Sequence, residues 1–371
     1  MKIGILSLAL HTNYGGILQS YALQTILERM GHDVKVIYRP VRKEKKKLMW
    51  LRYIKRTILK LGFSKDIDIF KENNWNKKQR ILETHTSRFI KKYIHTRIIR
   101  RLEDLKPTEF DSIVVGSDQV WRPYYFNGHY NCDIDGAYLS FAQNWNIQRI
   151  AYAASFGTNI WEYNEKQTHI CCELVKKFQA VSTREESGIS LCKNYLCVNA
   201  KCVLDPTLLL NKEDYLKLID KKKAPGDLMV YILDNNDDID NLISIIAEQR
   251  KLKPFKANIS PNIHHKEKIT IQPPIEDWLR GFRDAKFIIT DSFHACVFSI
   301  LFNKPFVVLS NEKRGKARLE SLLAKFNLGE RILGKTEQFH SELFRPLPDN
   351  ISTILKNLQK DSLDFLNLAL Q

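Results

Sequence analysis

The sequence predicts an α/β protein built as two successive doubly wound domains. Three observations carry this. Short apolar strands alternate with amphipathic helices along most of the chain. Polar residues recur where those strands end, as they do in folds that bind ligands at strand termini. The 371 residues, 44% of them hydrophobic, are enough to fill two cores.

Residues 2–8 open as a strand, followed by His11-Thr12-Asn13-Tyr14-Gly15-Gly16 and a helix to about Met30. In that helix Ile17, Leu18, Tyr21, Ala22, Leu23, Ile26 and Leu27 recur at helical spacing. Gly31 stops it, and residues 34–38 form the second strand. Gly15 and Gly16 permit either a tight turn or close backbone approach to a ligand; the loop has neither a GxGxxG pattern nor a P-loop lysine. Residues 40–107 read as a basic helical insertion in the first domain. Residues 110–116 are a buried strand with Ser117-Asp118-Gln119-Val120-Trp121 at its end. Residues 149–155 are another strand. A helix over 166–178 leads to a strand at 180–182, and Thr183-Arg184-Glu185-Glu186 opens a short helix. Val203-Leu204 runs into Asp205-Pro206-Thr207, and the first domain ends near residue 210.

The second domain takes residues 211–371. Strands at 228–233 and 255–259 flank a helix at 239–249, and a helix at 275–283 precedes a strand at 287–290. Asp291-Ser292-Phe293-His294 follows, then an apolar helix over 295–302, which Asn303-Lys304-Pro305 ends. Residues 306–309 are the next strand. Arg314-Gly315-Lys316-Ala317-Arg318 opens a helix through Phe326, and residues 351–370 close the chain as one or two helices.

Asp291, Ser292 and His294 thus fall between a strand's C-terminal end and a helix's first turn. That crevice binds ligands in α/β folds, and the unpaired N–H groups of the helix favour an anion there. A histidine in that place can hold an anionic group and move a proton, or merely cap the turn. Asp291 and Ser292 read first as helix caps. His264-His265 reads as part of a surface loop, because adjacent residues of a strand point to opposite faces and no carboxylate set completes a metal site. The seven cysteines, at 132, 171, 172, 192, 197, 202 and 296, form no Cys-x-x-Cys pair and read as reduced thiols.

Charge is concentrated. Residues 39–106 hold 22 Lys plus Arg against 7 Asp plus Glu, which leaves the rest of a +16 chain near neutral. A nucleic-acid enzyme with charge throughout its fold is thereby disfavoured. Within residues 43–62, Leu48, Leu51, Ile54, Ile58 and Leu61 share a face interrupted by Lys45, Lys46, Lys47, Arg52, Lys55 and Arg56. Such a helix either lies on an anionic membrane surface or packs its stripe on the domain. The apolar run at 3–10 is far short of the roughly 20 residues a membrane span needs, and no cleavage site follows it. A cytoplasmic protein is expected.

Several segments together resemble the polysaccharide pyruvyl transferase family. They are Asn13-Tyr14-Gly15-Gly16 with Leu18-Gln19 and Tyr21-Ala22-Leu23-Gln24, Val115-Gly116-Ser117-Asp118-Gln119-Val120-Trp121, and Ala153-Ala154-Ser155-Phe156-Gly157. Ser182-Thr183-Arg184-Glu185, Leu204-Asp205-Pro206-Thr207, Ile289-Thr290-Asp291-Ser292-Phe293-His294 and Asn303-Lys304-Pro305-Phe306 complete the series. Ala295-Cys296 departs from the Gly-Thr expected after the histidine.

The resemblance implies two Rossmann-like domains facing across a cleft, as in GT-B glycosyltransferases. It implies phosphoenolpyruvate as donor, a sugar as acceptor, and a pyruvate ketal across two hydroxyls, made for a capsule or exopolysaccharide, with neither cofactor nor metal. His294 is then the expected acid/base and phosphate contact. Arg184 is the expected clamp on the donor's carboxylate or phosphate, unless it pairs with Glu185 or Glu186. Ser292 and Phe293 join the donor site, and Arg314 and Arg318 add to it or form a solvated helix face. Asn13, Tyr14, Gly15, Gly16 and Asp118 are expected on the acceptor side, Asp118 either orienting a hydroxyl or capping a helix. The basic segment favours a lipid-linked acceptor at the inner face of a membrane. The alternatives are a nucleotide-sugar glycosyltransferase on the same fold and a catalytically silent carbohydrate- or membrane-docking protein.

Overall fold

The computed structural model describes residues 1–41, 49–62, 68–234, 237–258, 271–310 and 316–371. Its first unit begins with β1 (Lys2–Leu6), α1 (Tyr14–Arg29) and β2 (Asp33–Tyr38). The insertion follows as α2 (Met49–Gly62), α3 (Lys71–Leu82), α4 (Thr84–Tyr93) and β3 (Thr96–Ile98). The unit continues through β4 (Ser112–Val115), α5 (Pro123–Tyr130), β5 (Gln148–Ala154), α6 (Glu165–Val175), β6 (Ala180–Thr183), α7 (Glu186–Leu191) and β7 (Lys201–Cys202). After α8 (Lys212–Leu216) come β8 (Leu228–Tyr231), α9 (Asp237–Arg250), β9 (Pro254–Lys256), α10 (Ile275–Asp284) and β10 (Phe287–Thr290). The chain ends with α11 (Phe293–Leu301), β11 (Phe306–Leu309), α12 (Lys316–Lys325), β12 (Ile332–Leu333) and α13 (Ile351–Ala369).

Both sheets are parallel throughout. The first has the order β3-β2-β1-β4-β5-β6-β7, the second β12-β11-β10-β8-β9. Strands buried on both faces read as continuous apolar runs, and β4, β8, β10 and β11 are buried at every position. The short strands β3 and β12 have too few residues to show a period, and the sequence did not predict them. β3 holds the sheet edge by pairing Val36 with Thr96 through Tyr38 with Ile98.

Strand order reverses between β1 and β4 in the first sheet and between β8 and β10 in the second. Such switch points open a crevice at the strands' C-terminal ends. The two units share one continuous apolar core. Tyr14, at the start of α1, packs against Tyr231 and Trp278 with ring centroids 6.3 and 5.7 Å apart, and its hydroxyl donates to Pro273 O. At the chain's end, α13 returns to the first unit: Ser362 Oγ accepts from Leu204 N–H, and Gln359 donates to Leu208 O. This fused core sets the two switch points against each other.

Candidate active site

A cavity of about 980 Å³ lies where the switch points meet. Asn13 and Asp118 line it from the first unit, and Ser292, Phe293, His294 and Arg318 from the second. The basic insertion adds Arg52, Glu72 and Trp75 to the same walls. Nothing in the spacing of these three residues marked them as cavity residues, because they reach it only through tertiary packing.

His294 sits in the first turn of α11 and is nearly buried. Its Nε2 stands 3.7 Å from Asp205 Oδ2 and has no hydrogen-bond partner among the described residues. Burial lowers its pKa below 6.5, outweighing Asp205 and Asp118, which raise it, while Arg184 and Arg318 push it down further. The imidazole is therefore neutral at rest, beside two carboxylates that stabilise its cation once a proton arrives.

The placement of Asp205 follows from its own three residues. Asp205 Oδ1 accepts from both the N–H (3.0 Å) and the hydroxyl (2.6 Å) of Thr207, a local turn that Asp-Pro-Thr favours. Oδ2 is left to accept from Arg184 at 2.7 Å, Gln19 at 2.6 Å and Ser117 at 3.3 Å. Burial pushes its pKa up, but Arg184, His294 and Thr207 bring it down to about 2. In the sequence Gln19 and Asp205 stand out only as parts of motifs. The signal for Asp205 was there: an acid directly after a strand, with its first oxygen already engaged by a local turn.

Arg184 bonds Asp205 and, at 3.2 Å, Asp118. The alternative to a donor clamp, a pairing with Glu185 or Glu186, is not the one the packing makes. Glu185 instead turns its Oε1 to Ser155 Oγ and to the N–H groups of Phe156 and Gly157, and Glu186 pairs with Lys325. Burial pushes the Glu185 pKa up despite the neighbouring arginines. The Arg184 side chain is 1% exposed, so it stands behind the cavity wall, and its Nε has no hydrogen-bond partner among the described residues. Of the two arginines that meet Asp118, Arg318 is the one that lines the cavity, 3.5 Å from that carboxylate. Burial with Arg184 beside it lowers its pKa to about 10, which still leaves it charged. Phe293 carries both cations over its ring, Arg184 at 4.3 Å and Arg318 at 5.5 Å from the centroid.

Other expectations are corrected by packing. Asp118 caps no helix; it takes a left-handed backbone (φ 68°), which aspartate tolerates, and meets the two arginines. Asp291 does not cap α11: its carboxylate accepts from Leu233 N–H (2.8 Å) and Asp234 N–H (3.0 Å), tying the β8 loop to β10. Ser292 occupies the N-cap position without a side-chain cap hydrogen bond. Tyr14 is fully buried between the units and does not line the cavity. Gly15 is needed for close approach, but of a side chain: a Cβ there would stand 2.1 Å from His294 Nδ1. On Gly16 a Cβ would press on Asn13 at 3.3 Å. Arg314, the pair His264-His265 and residues 43–48 lie outside the described residues.

His11 and His129 line another part of the cavity. Burial, with His11 and Arg39 nearby, lowers the His129 pKa to about 3, against 6.5 for an ordinary histidine. Between those values the unfolded chain binds a proton that the native state refuses, so this contribution to stability is present above about pH 6.5 and is lost as pH falls. His129→Gln should flatten the decline between about pH 6.5 and 5 by up to about 1.4 kcal/mol per pH unit. Urea midpoints across that window read the difference, and equal slopes for the two proteins would refute it.

Among the described residues no group of three or more His, Cys, Asp or Glu is placed to hold a metal ion, and no helix is long and apolar enough to cross a membrane. A sequence model of the family described as polysaccharide pyruvyl transferase matches residues 13–313. No curated protein matches the chain. Among solved structures, UGT89C1 from Arabidopsis thaliana, complexed with UDP-L-rhamnose, is similar at 8% identity and a TM-score of 0.51, covering 98% of this chain and 94% of that one. UDP-GlcNAc 2-epimerase from Neisseria meningitidis, bound to UDP-GlcNAc, aligns over 99% of both chains at 12% identity and a TM-score of 0.48. At such identities the likeness speaks for the fold alone: two Rossmann-like domains across a cleft, GT-B-like, with a basic helical insertion in the first.

Proposed function

Since the chain belongs to the polysaccharide pyruvyl transferase family, we propose that it moves pyruvate from phosphoenolpyruvate to two hydroxyls of one sugar, forming a ketal in capsule or exopolysaccharide synthesis. The observation that carries this reading is the set of His294, Arg318 and Asp118 on one cavity, backed by Arg184 and Asp205. The donor is an enol ester of phosphoric acid with a carboxylate on the same carbon. It needs cations for its charge and an acid for its methylene carbon.

In this reading Arg318 meets the anionic donor at the wall, and Arg184 adds field from behind while holding both aspartates. Ser292 and the first N–H groups of α11 supply further donors. The donor's negative charge raises the His294 pKa, and the imidazole takes up a proton. His294 passes that proton to the methylene carbon, leaving an oxocarbenium-like centre stabilised by the carboxylates nearby. The first sugar hydroxyl attacks this centre and returns its proton to His294. The C–O bond to phosphate then breaks, the second hydroxyl attacks, and its proton leaves with inorganic phosphate. Asp118 and Asn13 orient the sugar. Part of the proposal is a lipid-linked acceptor met in the cytoplasm at the inner face of a membrane, for which the basic insertion beside the cavity is the support.

A thermal-shift titration with phosphoenolpyruvate, run beside UDP and GDP, tests the donor. At about a hundred times its dissociation constant, a ligand bound only to the native state stabilises by about 2.7 kcal/mol. The expected shift appears with phosphoenolpyruvate and is lost in Arg318→Met. A shift with a nucleotide alone would replace this reading by the glycosyltransferase one.

A further inference from the structure

We infer that the outer face of α2 is a membrane-docking surface for an anionic lipid bilayer. Trp50, Leu51, Ile54, Ile58 and Leu61 fall within an arc of about 100° on this helix. All five are exposed, from 45% for Leu51 to 78% for Leu61. Isolated exposed apolar residues need no explanation, but a continuous stripe on one helix marks a contact surface. The stripe is not the face that packs on the protein. The opposite arc does that: Met49 is buried, Tyr53 packs on Phe70 at 5.0 Å, and Arg56 pairs with Glu72 at 2.6 Å and bonds Ile69 O.

Charge selects the occupant. The α2 sequence contains no acidic residue, and the exposed Lys55 follows the stripe about 40° beyond its Leu51 edge. The segment from residue 39 to 106 is basic by 15 charges, as counted from its 22 Lys plus Arg and 7 Asp plus Glu. An anionic surface is attracted to such a segment, whereas a second copy of this chain would bring the same charge and be repelled. With 14 residues the helix is too short to span a bilayer, so it lies in the interface, apolar face down and Lys55 at headgroup level. Arg52 of the same helix lines the cavity. Arg52 leaves the helix on the side away from the stripe, so a docked protein would hold its cavity rim about one helix width, roughly 10 Å, from the surface on which a lipid-linked acceptor is presented. Only this last step rests on the proposed function.

The test is co-sedimentation of the full chain with phosphatidylcholine vesicles, with and without phosphatidylglycerol, at low and high salt. Binding is expected to the anionic vesicles and to weaken as salt screens the charges. Trp50→Ser combined with Ile58→Ser should reduce it by roughly tenfold without changing the melting temperature, since both residues are exposed. Undiminished binding by that variant would overturn the assignment of this face, as would absence of binding to anionic vesicles at low salt. Light scattering that finds a dimer abolished by the same substitutions would assign the face to a second copy instead. None of these readouts involves phosphoenolpyruvate, so the docking surface and the donor chemistry stand or fall separately.

Discussion

His294→Ala should cut pyruvyl transfer by roughly a hundredfold or more, the usual cost of losing a positioned general acid. The fold should survive, because Asp205 keeps its bonds to Arg184, Gln19, Ser117 and Thr207 when the imidazole is gone. Single-turnover rates at saturating donor, with circular dichroism as the fold control, read the result. The imidazole lies 3.7 Å from Asp205 and against Gly15, so alanine opens a gap at the junction of the two units without leaving an unpaired charge. A near-normal rate would place the acid elsewhere.

Arg184→Met should destabilise the protein by about 3–5 kcal/mol, the cost of breaking a buried pair and stranding its partner. Here the stranded groups are Asp205 and Asp118, whose side chains are 0% and 8% exposed. Both pKa values are held down chiefly by Arg184 against the burial that pushes them up, so losing the guanidinium forces protonation or water entry. Adding Asp205→Asn to Arg184→Met should recover part of the loss by removing one stranded charge. Chemical denaturation of both variants decides this. An unchanged midpoint for Arg184→Met would show that Arg318 and solvent already neutralise the pair. It follows that loss of ligand binding in an Arg184 variant would not by itself identify a donor clamp, whereas Arg318, on the cavity wall, is the cleaner position to probe.

Much of this was legible in the chain. The βαβ opening, the strand at 287–290 with its histidine in the following turn, and the two-unit α/β plan follow from local periodicity and from turn residues at strand ends. So does the chemical promise of His294, because a strand end and a helix start are local facts. Side-chain partnership was not legible. Arg184 passes over Glu185 and Glu186 for acids 21 and 66 residues away. Gly15 makes room for a histidine in the other unit, and Tyr14 belongs to the seam between units. Asp291, read as a cap, ties two strands across the switch point. Backbone preference and apolar period act over a few residues, so local sequence is enough to set which elements form and which residue types stand at their ends. Which charges meet and which groups face the cavity depends on how the two sheets pack. Burial makes an unpaired charge costly, and its cheapest partner is whichever opposite group the packing of two sheets brings within reach.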